Sequence, residues 1–176
     1  PGSPLGSMLF DDFSNEALIS SLGYKWRGVS DRVMGGISVA GVSRDVLDGQ
    51  TCLRLSGDVH MENGGGFLQA SLSLSTDDEL LDASEFTGVR LSVQGNGEDY
   101  SVHLRTLDCE RPWQSYRCGF QAPAHWETIH LAFATFKPHR LEVPLDLTRM
   151  TRMGLAAIGR PFLADLALSE ISLYGS

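Results

Sequence analysis

The sequence has no hydrophobic run long enough to cross a bilayer, which takes about 20 consecutive apolar residues. Nothing after Met8 combines a basic start with the apolar core of a signal peptide. The cysteines, Cys52, Cys109 and Cys118, are odd in number and lack C-x-x-C spacing. The chain is therefore expected to lack a transmembrane segment, a disulfide framework and a thiolate zinc site, and to occupy a reducing, cytoplasmic compartment. A Cys109–Cys118 bridge across a hairpin is the open alternative.

The sequence also has fewer basic than acidic residues. Fourteen Lys and Arg residues stand against 22 Asp and Glu residues, which gives a net charge of -8. Long-range electrostatics of this sign repel a phosphate backbone, so no nucleic-acid partner is expected.

Enzyme signatures are missing from the sequence. It contains no His-Glu-x-x-His, no nucleophile elbow and no phosphate loop. His125 and His130 are five residues apart in a predicted strand and would point to opposite faces, so they do not form a chelate. We expect no catalytic site, metal or cofactor. A hydrolase with paired carboxylates stays open, because their separation is a spatial property.

What is present indicates a single all-β domain. The chain has 176 residues, enough for one ordinary domain, and 19 glycines interrupt it throughout. Residues 1–7 are small and turn-prone and are interpreted as an expression-tag remnant before Met8. Residues 8–176 are then expected to form one domain.

Apolar and polar residues alternate along the chain as in half-buried strands. The apolar parity is Val89, Leu91 and Val93 in one segment and Tyr100, Val102 and Leu104 in the next. Gly95-Asn96-Gly97 between them is a hairpin signal, so these two strands are predicted to pair and to face the core. Further strands are predicted over residues 24–29, 36–43, 51–57, 66–74, 113–120, 127–131, 152–158 and 165–174. That makes about ten strands.

Helical segments are few and short. Helices are predicted only around residues 15–21 and 77–81, and neither could cover a sheet. Residues 133–148, with Pro138 and Pro144, are predicted to be a connection. The strands must then bury their apolar faces against each other, in a jelly-roll-like β-sandwich or a barrel, and we favour the sandwich.

A distinctive motif runs from Trp26 to Ser38, W-R-G-V-S-D-R-V-M-G-G-I-S, and is followed by N-G-G-G-F at residues 63–67. Tyr100, Leu104-Arg105-Thr106, Trp126 and Phe136-Lys137-Pro138 follow in order. In these residues the chain resembles the complex I intermediate-associated protein 30 family over residues 10–174. It departs from the family pattern at residues 159–165, G-R-P-F-L-A-D, where Gly-Pro-Phe is more usual.

The resemblance implies a galactose-binding-like jelly roll and a chaperone-like assembly factor for respiratory complex I. Its implied partner is a protein, namely respiratory-complex subunits or assembly intermediates, reached in the cytoplasm or at the periphery of a membrane complex. Because a long N-terminal extension is missing, we expect a bacterial member of the family, whose role could differ from complex I assembly.

The motif loops supply the first candidate binding surface. Conformationally fixed loops at sandwich ends commonly bind ligands, which favours Trp26, Asp31, Met34 and Asn63 as contact residues. The alternative is a structural corner with a packed Trp26 and a capping Asp31. The residues expected to shape the loops are Ser30, Gly35, Gly36, Ser38, Gly64, Gly65 and Phe67.

Polar residues of the predicted hairpin supply the second candidate. Arg90 and Gln94 on one strand and His103 and Arg105 on the other could form a patch that holds a carboxylate or sugar hydroxyls, with Tyr116 nearby. The alternative is an ordinary solvated sheet face.

Three classes of function therefore stay open: a non-catalytic assembly factor, a carbohydrate- or small-molecule-binding module, and, as the least favoured, an enzyme. The tryptophans Trp26, Trp113 and Trp126 separate the first two, because exposed indoles beside a groove favour glycan binding and buried indoles indicate packing.

Overall fold

Two antiparallel sheets stack face to face in the computed structural model, which describes residues 7–30, 41–59, 67–74, 80–111, 114–158 and 162–175, with only the backbone of Ser30. Twelve strands lie in these ranges and divide equally between the sheets. The prediction of an all-β, jelly-roll-like sandwich is confirmed.

The first sheet has the order β3-β4-β12-β6-β9, with β1 paired along the second half of β12. The second sheet has the order β10-β8-β7-β11-β5-β2. The strands of the first sheet are β1 (Ser7–Asp11), β3 (Gly41–Leu47), β4 (Gln50–Val59), β6 (Gly88–Gln94), β9 (Glu127–Ala132) and β12 (Phe162–Tyr174). The strands of the second sheet are β2 (Arg27–Ser30), β5 (Phe67–Ser73), β7 (Asp99–Thr106), β8 (Ser115–Gln121), β10 (Lys137–His139) and β11 (Met150–Ile158).

The core lies between the sheets and is built from one parity of each strand. The residues predicted to face it are all at most 2% exposed, which confirms that prediction: Val89, Leu91, Val93, Tyr100, Val102 and Leu104. The other parity of each strand points away from the core and forms the outer face of its sheet.

The predicted pairing of the 88–94 and 99–106 strands is wrong. β6 pairs with β9 and β12, whereas β7 pairs with β8 and β11, so the two strands belong to different sheets. The Gly95-Asn96-Gly97 segment carries the chain across the sandwich and is held by backbone hydrogen bonds to Ala122 and Pro123. Both strands show the same alternation of apolar and polar residues, because each packs one face against the core from its own sheet.

The helix predicted around residues 15–21 is also wrong. The Asn15 carboxamide oxygen accepts a hydrogen bond from the Ala17 amide, and Leu18 has a φ of 59°. This left-handed backbone conformation is incompatible with an α-helix through Leu18. A bridge between Ile19 and Lys25 then closes a small hairpin. The helix predicted at 77–81 falls largely outside the described residues. Within the described ranges no helix is long and apolar enough to cross a membrane.

Two strands were not predicted from the sequence. β1 pairs with β12, and β10 forms the edge of the second sheet inside the segment predicted as a connection. Pro138 lies in β10, where an edge position leaves its missing N–H without consequence for the ladder. Two short 3-10 helices, Phe133–Thr135 and Leu147–Arg149, flank the rest of that connection.

Candidate functional site

Trp26, the first residue of the motif loop, is buried in the core. Its side chain is 2% exposed and packs against Phe13, with ring centroids 5.8 Å apart. The indole N–H donates to the Asp11 carboxylate over 2.8 Å, and the Phe13 amide donates to the other oxygen of that carboxylate. Burial outweighs these hydrogen bonds and raises the pKa of Asp11. This geometry is that of a structural corner, the alternative considered for Trp26.

Most of the other motif residues fall outside the described residues. These are Asp31, Met34, Gly35, Gly36, Ser38, Asn63, Gly64 and Gly65. The backbone of Ser30 pairs with Leu68, and Phe67 is half-buried opposite Ile158. The described part of the motif thus joins β2 and β5 at one edge of the second sheet.

The predicted polar patch is divided between opposite sides of the molecule. Arg90 and Gln94 lie on the outer face of the first sheet, because β6 belongs to that sheet. His103 and Arg105 lie on the outer face of the second sheet. The expectation that these four residues form one patch is therefore wrong, and the reason is the incorrect pairing of β6 with β7.

Tyr116 lies on the core side of β8 and is fully buried. Its hydroxyl donates to the backbone carbonyl oxygens of Val143 and Pro144, and burial raises its pKa to about 12. The Tyr116 hydroxyl is thus already hydrogen-bonded to the connection between β10 and β11.

The outer face of the second sheet instead collects arginines. Strand pairing places Arg117 opposite His103 and Arg105 opposite Arg152, and Arg27 lies beside Ser71 at the far edge. Lys137 and His139 continue the same face along β10. We call this surface the arginine face, defined by Arg27, Arg105, Arg117, Arg152, Lys137 and His139.

Among the described residues, no carboxylate forms an ion pair with the arginines of this face. The arginines that do form ion pairs with described carboxylates are Arg54, Arg90 and Arg149, which do not belong to it. The carboxylate on the same parity of β7 is that of Asp99, four residues from His103 or roughly 13 Å along the strand. The positive charge of the arginine face is therefore not neutralised by its described neighbours.

Neutral groups orient the guanidinium groups instead. The Arg117 Nε donates to Ser115 Oγ over 2.8 Å, and an Arg152 N–H donates to Ser71 Oγ over 3.0 Å. Arg105 donates to the carbonyl oxygens of residues 109 and 111. In these hydrogen bonds between described residues, each of the three arginines uses only part of its five donors.

Mutual repulsion and burial act on these arginines. Burial, followed by the charges of Arg105 and Arg27, lowers the pKa of Arg152. Burial, followed by the charge of Arg140, lowers the pKa of Arg117. In both cases burial and neighbouring positive charge disfavour the charged form of the guanidinium group.

His103 lies beneath this layer of charge. Its side chain is 5% exposed, and its Nε2 is 2.8 Å from Ser101 Oγ. Burial, with smaller contributions from Arg117 and His139, lowers its pKa to about 3. His103 is therefore a neutral imidazole at pH 7.

The floor of the arginine face is formed by small residues of β11. Gly154 lies opposite His103 on one side and Ser71 on the other, and a Cβ there would collide with the Gln69 carboxamide. Ala156, two residues on, is fully buried under the same layer.

Sequence reasoning missed Arg27, Arg117 and Arg152. Each stands on the polar parity of a strand, but so do many solvated residues. The signal that unites them is the strand order, which brings β2, β8 and β11 into one sheet with β7. Alternation within single strands could not supply that order.

A separate pocket of about 380 Å³ opens at one end of the sandwich. Its lining is almost wholly apolar and consists of Tyr116, Phe133, Ala134, Phe136, Pro138, Pro144, Leu145 and Leu147. Within the described residues, no group of three or more His, Cys, Asp or Glu side chains is placed to hold a metal ion.

The sandwich is of the galactose-binding-like jelly-roll class, and solved structures share its fold. The family 11 carbohydrate-binding module of a cellulosomal cellulase from Clostridium thermocellum superposes with a TM-score of 0.75 at 14% identity, over 99% of this chain and 97% of the module. The family 30 carbohydrate-binding module of another cellulosomal cellulase from that organism gives a TM-score of 0.59 at 15% identity, over 80% of this chain and 91% of the module. An agarase gives 0.62 at 12% identity, over 97% of this chain and 25% of the enzyme.

The family model of complex I intermediate-associated protein 30 matches residues 12–166. The chain belongs to this family, and the resemblance seen in its motifs is confirmed. No curated protein matches the sequence at a significant level.

Proposed function

We propose that this chain is a non-catalytic binding module that assists respiratory complex assembly by holding an acidic surface of a partner protein on the arginine face. The family to which it belongs supports the assembly role. The observation that carries the proposal is the set of arginines on one sheet face with no carboxylate partner among the described residues.

Charge complementarity selects the partner. The chain as a whole has a net charge of -8, so it repels an acidic molecule in most orientations. Charges are screened beyond about 8 to 10 Å at ordinary ionic strength, so an acidic surface that reaches the arginine face meets mainly positive charge. Guanidinium forks bind carboxylates with two parallel hydrogen bonds, which orients the partner as well as attracting it.

The indole positions support a protein partner over a glycan on this face. Trp26 is buried, and Trp126 is partly buried and donates its indole N–H to the Leu47 carbonyl oxygen. Neither lies on the arginine face, and Trp113 is outside the described residues. Neither of these two indoles can therefore serve as a platform for a sugar ring on this face.

Two further features fit the proposal. The cysteines Cys52, Cys109 and Cys118 are free thiols, which supports the reducing cytoplasm as the site of action, at the periphery of a membrane complex. The His103 imidazole at the centre of the arginine face is neutral, and its hydrogen-bond partner among the described residues is Ser101 rather than a carboxylate that could make it a general base. Both support binding rather than catalysis.

The test is affinity purification from the native host with mass spectrometry of the recovered proteins. Removing two charges in Arg117→Gln/Arg152→Gln should reduce recovery of respiratory-complex subunits tenfold or more, because an interface arginine commonly contributes about 2 kcal/mol of binding. The matched control is Arg90→Gln, which removes a charge from the opposite sheet, where Arg90 is paired with Glu170. Undiminished recovery with the double variant would refute the proposal.

A further inference from the structure

A small polar pocket lies on the first sheet, on the side of the molecule opposite the arginine face. Strand pairing sets Arg54 of β4, Ala167 of β12 and Gln94 of β6 in one row. Ala167 contributes only a methyl group between two long side chains, so the row has a depression at its centre. The pocket measures about 180 Å³, which corresponds to roughly six water volumes. We call it the Gln94 pocket; its lining is Leu47, Arg54, Gln94, Gly95, Asp165 and Ala167.

The Gln94 carboxamide is held in one orientation and offers an acceptor. Its Nε2 donates to the Ala124 carbonyl oxygen over 3.0 Å, which fixes the orientation of the amide. Its Oε1 is buried and has no hydrogen-bond partner in the described structure. Buried acceptors are nearly always satisfied, so this oxygen favours a molecule that brings a donor.

The charged groups at the other side of the pocket favour a neutral molecule. Arg54 donates to both oxygens of Asp165 over 2.9 Å and to Asp45 over 3.1 Å. One guanidinium is thus shared by two carboxylates, which leaves an excess of negative charge and unused acceptor lone pairs. An anion is repelled here, whereas hydroxyl groups can donate to these carboxylates.

An amphipathic aromatic residue adjoins the same pocket. The Trp126 indole N–H donates over 3.1 Å to the carbonyl oxygen of Leu47, which is a lining residue. Trp126 is partly exposed, and this hydrogen bond places its indole next to a residue of the pocket lining. Indole surface next to convergent polar groups is the usual setting for the apolar face of a sugar ring.

From this geometry we infer that the Gln94 pocket binds a small uncharged polyhydroxyl ligand of the size of one sugar ring, with a ligand hydroxyl donating to Gln94 Oε1. This site shares no residue with the arginine face and does not depend on the proposed assembly role.

The experiment is NMR titration of the 15N-labelled chain with D-glucose, D-galactose and D-mannose. At least one of these sugars should give saturable shifts of the Gln94 side-chain amide and the Trp126 indole N–H. D-Glucuronate, which adds a carboxylate to the same ring, should bind roughly tenfold or more weakly than D-glucose or leave these signals unmoved, because of the carboxylates around Arg54.

Two variants and a control complete the test. Gln94→Leu removes the acceptor and Ala167→Val narrows the pocket, and each should weaken sugar binding roughly tenfold or more. Gln121→Leu is the matched control, since Gln121 also donates to a backbone carbonyl, that of Gly97, but on the other sheet. The inference is overturned if none of the three sugars shifts the two signals, or if both variants bind as the control does.

Discussion

At the residue scale, the burial of His103 beneath the arginine face makes the stability of the folded chain depend on pH. His103 is neutral because it is buried under guanidinium groups, and its folded pKa of about 3 lies below its ordinary value of 6.5. Between these values the unfolded chain binds a proton that the folded chain does not. The contribution of His103 to stability is therefore complete above pH 6.5 and is lost as the pH falls toward 3.

Replacing this histidine should remove that pH dependence. Between pH 7 and pH 5, the wild-type chain should lose about 2 kcal/mol of unfolding free energy more than His103→Gln does, since each pKa unit corresponds to about 1.4 kcal/mol. Urea unfolding at the two pH values measures both proteins. A stability difference between them that is the same at pH 7 and pH 5 would show that His103 is not buried in its neutral form.

At the element scale, the crossing between β6 and β7 determines which residues share a face. Gly95 sits where this crossing meets the 122–123 segment, and an added Cβ would lie 2.5 Å from the Ala122 Cβ and 3.1 Å from its carbonyl oxygen. At this close contact the chain passes from the first sheet to the second. The arginine face and the Gln94 pocket lie on opposite sides because β6 and β7 belong to different sheets.

A methyl group at this position should strain the crossing. Gly95→Ala is expected to lower the unfolding free energy by about 1 to 3 kcal/mol, the usual range for overpacking. The matched variant Gly119→Ala places its Cβ 3.7 Å from the Tyr100 carbonyl oxygen, at ordinary van der Waals distance, and should change stability by no more than about 0.5 kcal/mol. Thermal unfolding of both proteins is the measurement, and equal melting temperatures would contradict the close approach.

The same crossing marks the limit of what could be predicted from the sequence. Period-two alternation located the core parity of Val89 and Leu104 correctly, because core-facing positions look alike in either sheet. Pairing partners depend on contacts between residues far apart in sequence, such as Arg152 with Arg105. Local sequence patterns do not encode those contacts. The predicted pairing of β6 with β7 is therefore wrong, and most of the arginine face could not be predicted.

At the scale of the whole molecule, charge is distributed unevenly around an acidic sandwich. The chain carries a net charge of -8, yet the outer face of the second sheet presents arginines without described carboxylate partners. On the first sheet, Arg54 instead forms ion pairs with two carboxylates. In the proposed complex, an acidic partner would be attracted to one side of the molecule and oriented by this asymmetry.

Complementation of a deletion strain tests the central claim most directly. The quantity to measure is the amount of fully assembled respiratory complex I when the native host carries the wild-type chain, Arg117→Gln/Arg152→Gln or the control Arg90→Gln, each at matched protein level. We predict that the wild type and the control restore assembly and that the double variant, though folded, does not. Full restoration of the complex by the double variant would contradict the account.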